Sequence, residues 1–386
     1  MLNNRSRRLA LRLCACLSLL FPLSVVPSVA MAEDGVTDSM ILLGQTVGLS
    51  GQIAGPVKEM NAGANAYFEH INKNGGVNGR KIEVKILDDK FDPATAATNA
   101  ETLIKKEHVF ALFQSRGTPH TEALLPVLAE NKVPLIAPST GASLFHAPVN
   151  HYVFNVRAKY QDEVRRGVEQ FNTIGLKEIA LLHVDDTFGR DGLAGFTQAM
   201  TQHKLTSAAI VTFDRAKPDI AAAVKAVIGS KAKAVIIIGS GVTTVELIKE
   251  ARTQNPGLQI MTLSNNASQS FVDSLGRAGI GVMVSQIMPA PHTVSTVLGQ
   301  EFKSIAIAQG VNASYAAMEG FVAAKIMVEG LRRAGRNLTR DGLIRALESI
   351  RRYDIGGVML GYSEKDHTGS EFVELTMIGK DGKFLR

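Results

Sequence analysis

Tryptophan is absent, aromatic residues make up only 6% of the chain, and the only cysteines are Cys14 and Cys16. With sparse aromatics and no clustered basic stripe, there is neither a stacking platform nor an electrostatic track for nucleic acid. Two early cysteines provide no disulfide framework and no Cys-rich metal site. The N-terminal apolar run at 13–26 is shorter than the ~18–20 predominantly apolar residues that a membrane-spanning helix needs, and no later apolar run is as long. Catalytic signatures are missing as well: there is no Gly-x-Ser-x-Gly elbow, phosphate-cradling Gly-Lys-Ser/Thr loop, His-Glu-x-x-His helix or dinucleotide glycine pattern. The expectation is a protein that is not an enzyme and carries no cofactor.

The first 32 residues have the pattern of a secretory signal: Arg5, Arg7, Arg8 and Arg12, then the apolar run, then small residues at Ala30 and Ala32. Cleavage after Ala32 would remove both cysteines. It would also reduce the 42 basic residues to 38 against 36 acidic, so the formal charge of +6 becomes +2. The expected product is an exported, periplasmic and monomeric protein without disulfides. Its length exceeds what one core usually organises, which predicts two domains.

Short apolar or β-branched runs at 40–47, 82–87, 109–113, 133–137, 179–184, 208–213, 234–238, 259–263 and 281–285 read as strands buried in parallel sheets. Amphipathic segments at 56–74, 93–106, 119–131, 162–174, 191–203, 219–228 and 244–253 read as the intervening helices. Repeated strand-then-helix units imply right-handed βαβ crossovers. After Pro289 come three helical segments, at 294–309, 313–334 and 340–350, then a strand pair at 357–360 and 372–378. Late helices without strands between them suggest that the chain returns to complete an earlier lobe.

In open parallel sheets, ligands lie beyond the carboxyl ends of the strands. There the sequence places Gly48-Leu49-Ser50-Gly51, Ser115-Arg116-Gly117-Thr118, Ser139-Thr140-Gly141-Ala142, Asp185-Asp186-Thr187-Phe188-Gly189 and Gly239-Ser240-Gly241. Hydroxyls and free N–H groups at helix starts would hold a carboxylate. The same residues also serve as ordinary N-caps. His183, Asp185 and Asp186 could be metal ligands, but capping or solvated carboxylates are the stronger reading.

The segments 41–51, Asn74-Gly75-Gly76-Val77-Asn78-Gly79-Arg80, Asp88-Asp89 through Asp92-Pro93, and Val133-Pro134 through Gly141-Ala142 resemble, in order and spacing, the type I periplasmic solute-binding proteins of the Leu/Ile/Val-binding kind. That family serves ABC transporters. The resemblance spans nearly the whole chain after residue 32. It implies an α/β fold of two Rossmann-like lobes with parallel-sheet cores, joined by a three-crossover hinge: 33–156 with 287–362, and 157–286 with 363–386. It also implies hinge closure around a small carboxylate or amino-acid-like ligand, with a membrane permease as partner; the alternatives are a branched-chain amino-acid binder or a ligand-sensing receptor module of the same fold. By that resemblance the ligand carboxylate falls to Gly117-Thr118 and the 139–142 turn, with Phe188 and Tyr315 as aromatic walls. Arg157 and Tyr160 lie at the expected first crossover, where Arg157 either meets the ligand or pairs with Glu163. Where α-amino-acid binders carry an acid for the ligand ammonium, this chain has Ser264-Asn265-Asn266. Neutral Asn265 and Asn266 suit hydroxyl, carbonyl or amide partners rather than a buried ammonium, which needs a counter-charge, so a carboxylate with an apolar or aromatic body between Phe188 and Tyr315 is expected over an ordinary amino acid.

Overall fold

The computed structural model describes residues 33–386, so the export signal expected over 1–32 lies outside the described residues. The chain opens with β1 (Met40–Val47), α1 (Ala54–Lys73), β2 (Lys81–Asp88), α2 (Pro93–Lys105), β3 (Ala111–Phe113), α3 (Thr118–Asn131), β4 (Leu135–Ile136) and β5 (Val153–Phe154). These five strands form one parallel sheet in the order β2-β1-β3-β4-β5.

The second sheet follows through α4 (Tyr160–Thr173), β6 (Ile179–Val184), α5 (Thr187–Gln202), β7 (Ala209–Phe213), α6 (Ile220–Gly229), β8 (Ala234–Ile238), α7 (Gly241–Gln254), β9 (Gln259–Thr262), α8 (Gln269–Leu275) and β10 (Met283–Gln286). Its central strands β6 and β8 are buried at every position, whereas the edge strand β7 alternates. Burial on both faces explains why these runs read as continuous apolar segments in the sequence. Caps fix the helix starts: Asp92 accepts from Thr95 N ahead of Pro93, and Asp186 accepts from Phe188 N and Gly189 N.

The late helices α9 (Val297–Ile305), α10 (Tyr315–Ala334) and α11 (Arg340–Glu348) return to the first sheet, where α10 lies along α1. That packing depends on two glycines. A Cβ on Gly63 would sit 1.9 Å from the Ala317 carbonyl oxygen, and one on Gly320 would sit 1.8 Å from that of Met60.

The expected late strand pair does not form. Instead β11 (Tyr353–Asp354), β12 (Met359–Ser363) and β13 (Asp366–Gly369) make a small antiparallel sheet, while β14 (Glu374–Ile378) and β15 (Phe384–Leu385) extend the second sheet beside β10. The chain crosses between lobes after Gly369, so the two strands cannot meet. The third crossing packs on the first: Asn155 N donates to His367 O, the Tyr362 hydroxyl donates to Asn155 O, and a Cβ at Gly369 would lie 2.3 Å from Asn155 O. The passage of the chain therefore falls later than residue 362, because β13 stays on the first lobe's side against β5.

Candidate ligand-binding cleft

The loops at the carboxyl ends of both sheets converge on one small, partly open cavity. Ile53, Phe91, Arg116, Gly117, Thr118 and Ser139 line it from the first lobe; Tyr160, Phe188, Arg215, Ser240 and Asn265 line it from the second. Its volume is about 20 Å³, room for roughly one water. The lobes are therefore closed on each other, and a larger guest requires them to part or Arg116 to swing aside.

Arg116 is the central charge. It is 6% exposed, and its guanidinium donates to Ser139 Oγ at 3.1 Å and, across the cleft, to Asn265 O at 2.7 Å. Among the described residues no carboxylate forms an ion pair with it, and burial pushes its pKa below the ordinary arginine value, opposed by Glu319. Beside it, the Thr118 and Thr140 hydroxyls share a hydrogen bond of 2.8 Å. Gly117 has φ +96°, and a Cβ there would meet His120 Nδ1 at 2.6 Å. Only glycine fits both the backbone angle and the space. On the other side, the Tyr160 and Phe188 rings pack 4.7 Å apart.

Arg157 lies in the hinge. Its guanidinium bonds to Glu163 at 3.4 Å, to Glu319 at 3.3 Å and to Ser264 Oγ, with the Tyr160 ring 4.9 Å away. Glu163 also accepts from Ser264 N at 2.9 Å and from Ser285 Oγ at 2.5 Å. Burial alone would depress the arginine pKa, yet Tyr160, Glu319 and Glu163 hold it above the ordinary value. Burial raises Glu163. This cluster takes a residue from each lobe and ties both to the crossover.

Of the residues expected at the site, Arg116, Gly117, Thr118, Ser139, Tyr160, Phe188, Ser240 and Asn265 line the cavity, and the others do not. Ser50 is exposed and bonds Asp88; Ser115 bonds Thr121 within its own loop and helix. Thr140 stands behind Thr118, and Ala142 is fully buried in the core. Gly141 seats the first crossover, accepting from Tyr160 N at 2.8 Å. Asn266 is used up by Gly241 N, Gly239 O and Thr262 Oγ1. Tyr315 packs 5.3 Å from Phe384 beside a different cavity, because α10 places its first turn against the last strand. Asp186 caps α5 and holds Arg215, and the described residues contain no cluster of three metal-ligating side chains.

Ile53, Phe91 and Arg215 were not foreseen. Phe91 and Arg215 follow β2 and β7, so the strand-end rule reaches them too. Both strands are edges, where ligand loops are not the first expectation. Phe91 stacks on His120 with centroids 4.2 Å apart.

Burial pushes the His120 imidazole down to about 4 and that of His146 down to about 3. Both are neutral when folded and protonate below about 6.5 when unfolded, so the stability they contribute is present above pH 6.5 and is lost as pH falls toward the folded values. By pH 4.5 the loss is on the order of 2–3 kcal/mol for each histidine. Asp89, raised to about 6 by burial, acts in the opposite sense over roughly pH 4–6. Melting temperature should therefore fall from pH 6.5 to 4.5, and less steeply in His120→Phe or His146→Phe. An unchanged slope in both variants would show that the imidazoles are not held neutral.

The sequence profile of the family described as periplasmic binding protein matches residues 41–383. The chain is 23% identical over 376 residues to the Leu/Ile/Val-binding protein homolog 3 of Brucella melitensis, covering 94% of this chain and 99% of that one. It superposes on a substrate-binding periplasmic protein from Ralstonia solanacearum with a TM-score of 0.83 at 29% identity, covering 89% and 99% of the two chains. An ABC-transporter solute-binding protein from R. palustris, solved in complex with benzoate, shares the fold at 19% identity and a TM-score of 0.79, with 90% and 95% covered.

Proposed function

This chain belongs to the periplasmic binding protein family, of the Leu/Ile/Val-binding type and with the type I fold, and from that premise we propose that it captures a small organic carboxylate between its lobes and presents the closed complex to the membrane subunits of an ABC importer. The family consists of substrate-binding proteins rather than enzymes. On this reading residues 1–32 direct export, and the mature chain works as a monomer in the periplasm.

One observation carries the ligand class: the cavity is lined by two arginines and by no carboxylate. Arg215 is neutralised by Asp186, but Arg116 has only neutral acceptors. A ligand carboxylate supplies a direct counter-charge where Glu319 reaches Arg116 only through Ser139, with the Thr118 hydroxyl as a second donor. The ammonium of an α-amino acid would face Ser240 and Asn265, because Glu163 and Glu319 are held by Arg157. The rings of Tyr160 and Phe188 suit a flat apolar body. The R. palustris protein, which shares this fold, was solved with benzoate, a molecule of that kind, which supports the reading.

The name of the Brucella relative favours a branched-chain amino acid as the second reading. A thermal-shift series with benzoate, hexanoate and leucine separates the two. Ligand at 100 times its dissociation constant stabilises by about 2.7 kcal/mol. A shift with benzoate or hexanoate and none with leucine is expected; a shift with leucine alone overturns the assignment.

A further inference from the structure

At the rim of the cavity that Arg116 also lines, one contact joins the lobes without needing a ligand. The Arg215 guanidinium, from the loop after β7, lies 5.2 Å from the centroid of the Phe91 ring, from the loop after β2. Each partner is held in place by its own lobe. Asp186, the cap of α5, accepts from Arg215 Nε at 2.6 Å and also pairs with its terminal nitrogen. The Arg215 loop is itself folded by Asp214, which accepts from Ala216 N and Lys217 N. Phe91 has φ +59°, fixed by its N–H donating to Asp89 at 2.9 Å, and its ring is stacked on buried His120. The result is a stack of His120, Phe91 and Arg215 whose last interface crosses between lobes. Such a cation over an aromatic face within about 6 Å is attractive, and more so when partly desolvated. The Arg215 side chain is 22% exposed, which places it at the rim.

We propose that Arg215 and Phe91 form a clasp across the cleft mouth, which favours the closed form whatever is bound and slows release of the ligand. The proposal rests on hinge closure but not on the identity of the ligand. A contact made only when the lobes meet adds the same free energy to the closed state for every guest, so it changes affinity without changing selectivity. The competing role for Arg215 is direct contact with the ligand, as a second anion anchor. The two roles differ in what Phe91 does: an anchor is indifferent to the loss of the ring, whereas a clasp is not.

Small-angle scattering of the unliganded protein tests the clasp without a ligand. Arg215→Ala and Phe91→Leu should each raise the mean radius of gyration, while Asp186→Asn should do so to a lesser degree. Titration with benzoate and with hexanoate should show each single variant weakened by about 2- to 30-fold, by the same factor for both ligands. The double variant should be no weaker than the weaker single one. Scattering profiles that match the unsubstituted protein in both Arg215→Ala and Phe91→Leu overturn the clasp. So does an affinity loss in Arg215→Ala that Phe91→Leu does not share. Failure of benzoate and hexanoate to bind the unsubstituted protein would instead count against the carboxylate assignment, leaving the scattering comparison to decide the clasp. Melting curves of each variant verify folding, and Phe91→Leu keeps the apolar bulk over His120 for that purpose.

Discussion

Arg116→Gln is expected to weaken carboxylate binding by about 2–5 kcal/mol, roughly 30- to 4,000-fold, read by calorimetric titration with benzoate. The size follows from where the guanidinium sits. It is buried and without a carboxylate partner, and a ligand anion would complete it through charge-assisted hydrogen bonds in a site from which water is largely excluded. Glutamine keeps a hydrogen-bond donor for Ser139 but loses the charge and the fork. The substitution also removes the donation to Asn265 O across the cleft, so part of the loss is a weaker closed state. Arg116→Lys separates the two contributions: a lysine retains the charge without the planar geometry. Affinity in the lysine variant should lie between the other two.

The second large effect concerns folding. Arg157→Met should destabilise the protein by about 3–5 kcal/mol, because it leaves Glu163 and Glu319 buried with their counter-charge gone. Denaturant unfolding measures it. The sign of the pH dependence is distinctive. Glu163 already has its pKa raised by burial, and for an acid raised in the folded state the charge penalty builds as pH rises from the unfolded value and is complete above the folded one. Without the arginine the penalty grows, so the variant's deficit should be largest near neutral pH and shrink on acidification. Glu163→Gln in the same background should restore part of the stability. A deficit below about 1 kcal/mol, or one that grows on acidification, would show that the cluster does not anchor the hinge.

Much of the architecture could be read because parallel-sheet interiors impose a simple pattern. β1, β6 and β8 coincide with the apolar runs at 40–47, 179–184 and 234–238, since strands buried on both faces are mostly apolar, with Gln45, Thr46 and His183 as buried polar exceptions. β5 and β13 left no such trace, because β5 is a two-residue strand without an apolar run around it and β13 reads Asp-His-Thr-Gly, with no apolar residue. The misplaced late strand pair has a topological cause: nothing local marks the point after Gly369 where the chain changes lobes.

The site was legible to the extent that it follows from strand ends. Arg116, Gly117, Thr118 and Ser139 sit where β3 and β4 deliver them. Arg157 had two open readings, and tertiary neighbours more than a hundred residues away, Ser264 and Glu319, place it in the hinge. Tyr315 could not be placed from sequence, since its direction depends on how α10 meets β15. Phe91 and Arg215 were hidden for the same reason: their juxtaposition exists only once the two lobes have closed.

The most direct check is to extract and identify by mass spectrometry whatever small molecule stays with the folded protein, side by side for the unsubstituted chain and Arg116→Gln. An organic acid retained by the first and lost from the second is the outcome expected of a cleft whose unpaired guanidinium holds an anion. A neutral or cationic guest kept equally by both would contradict it.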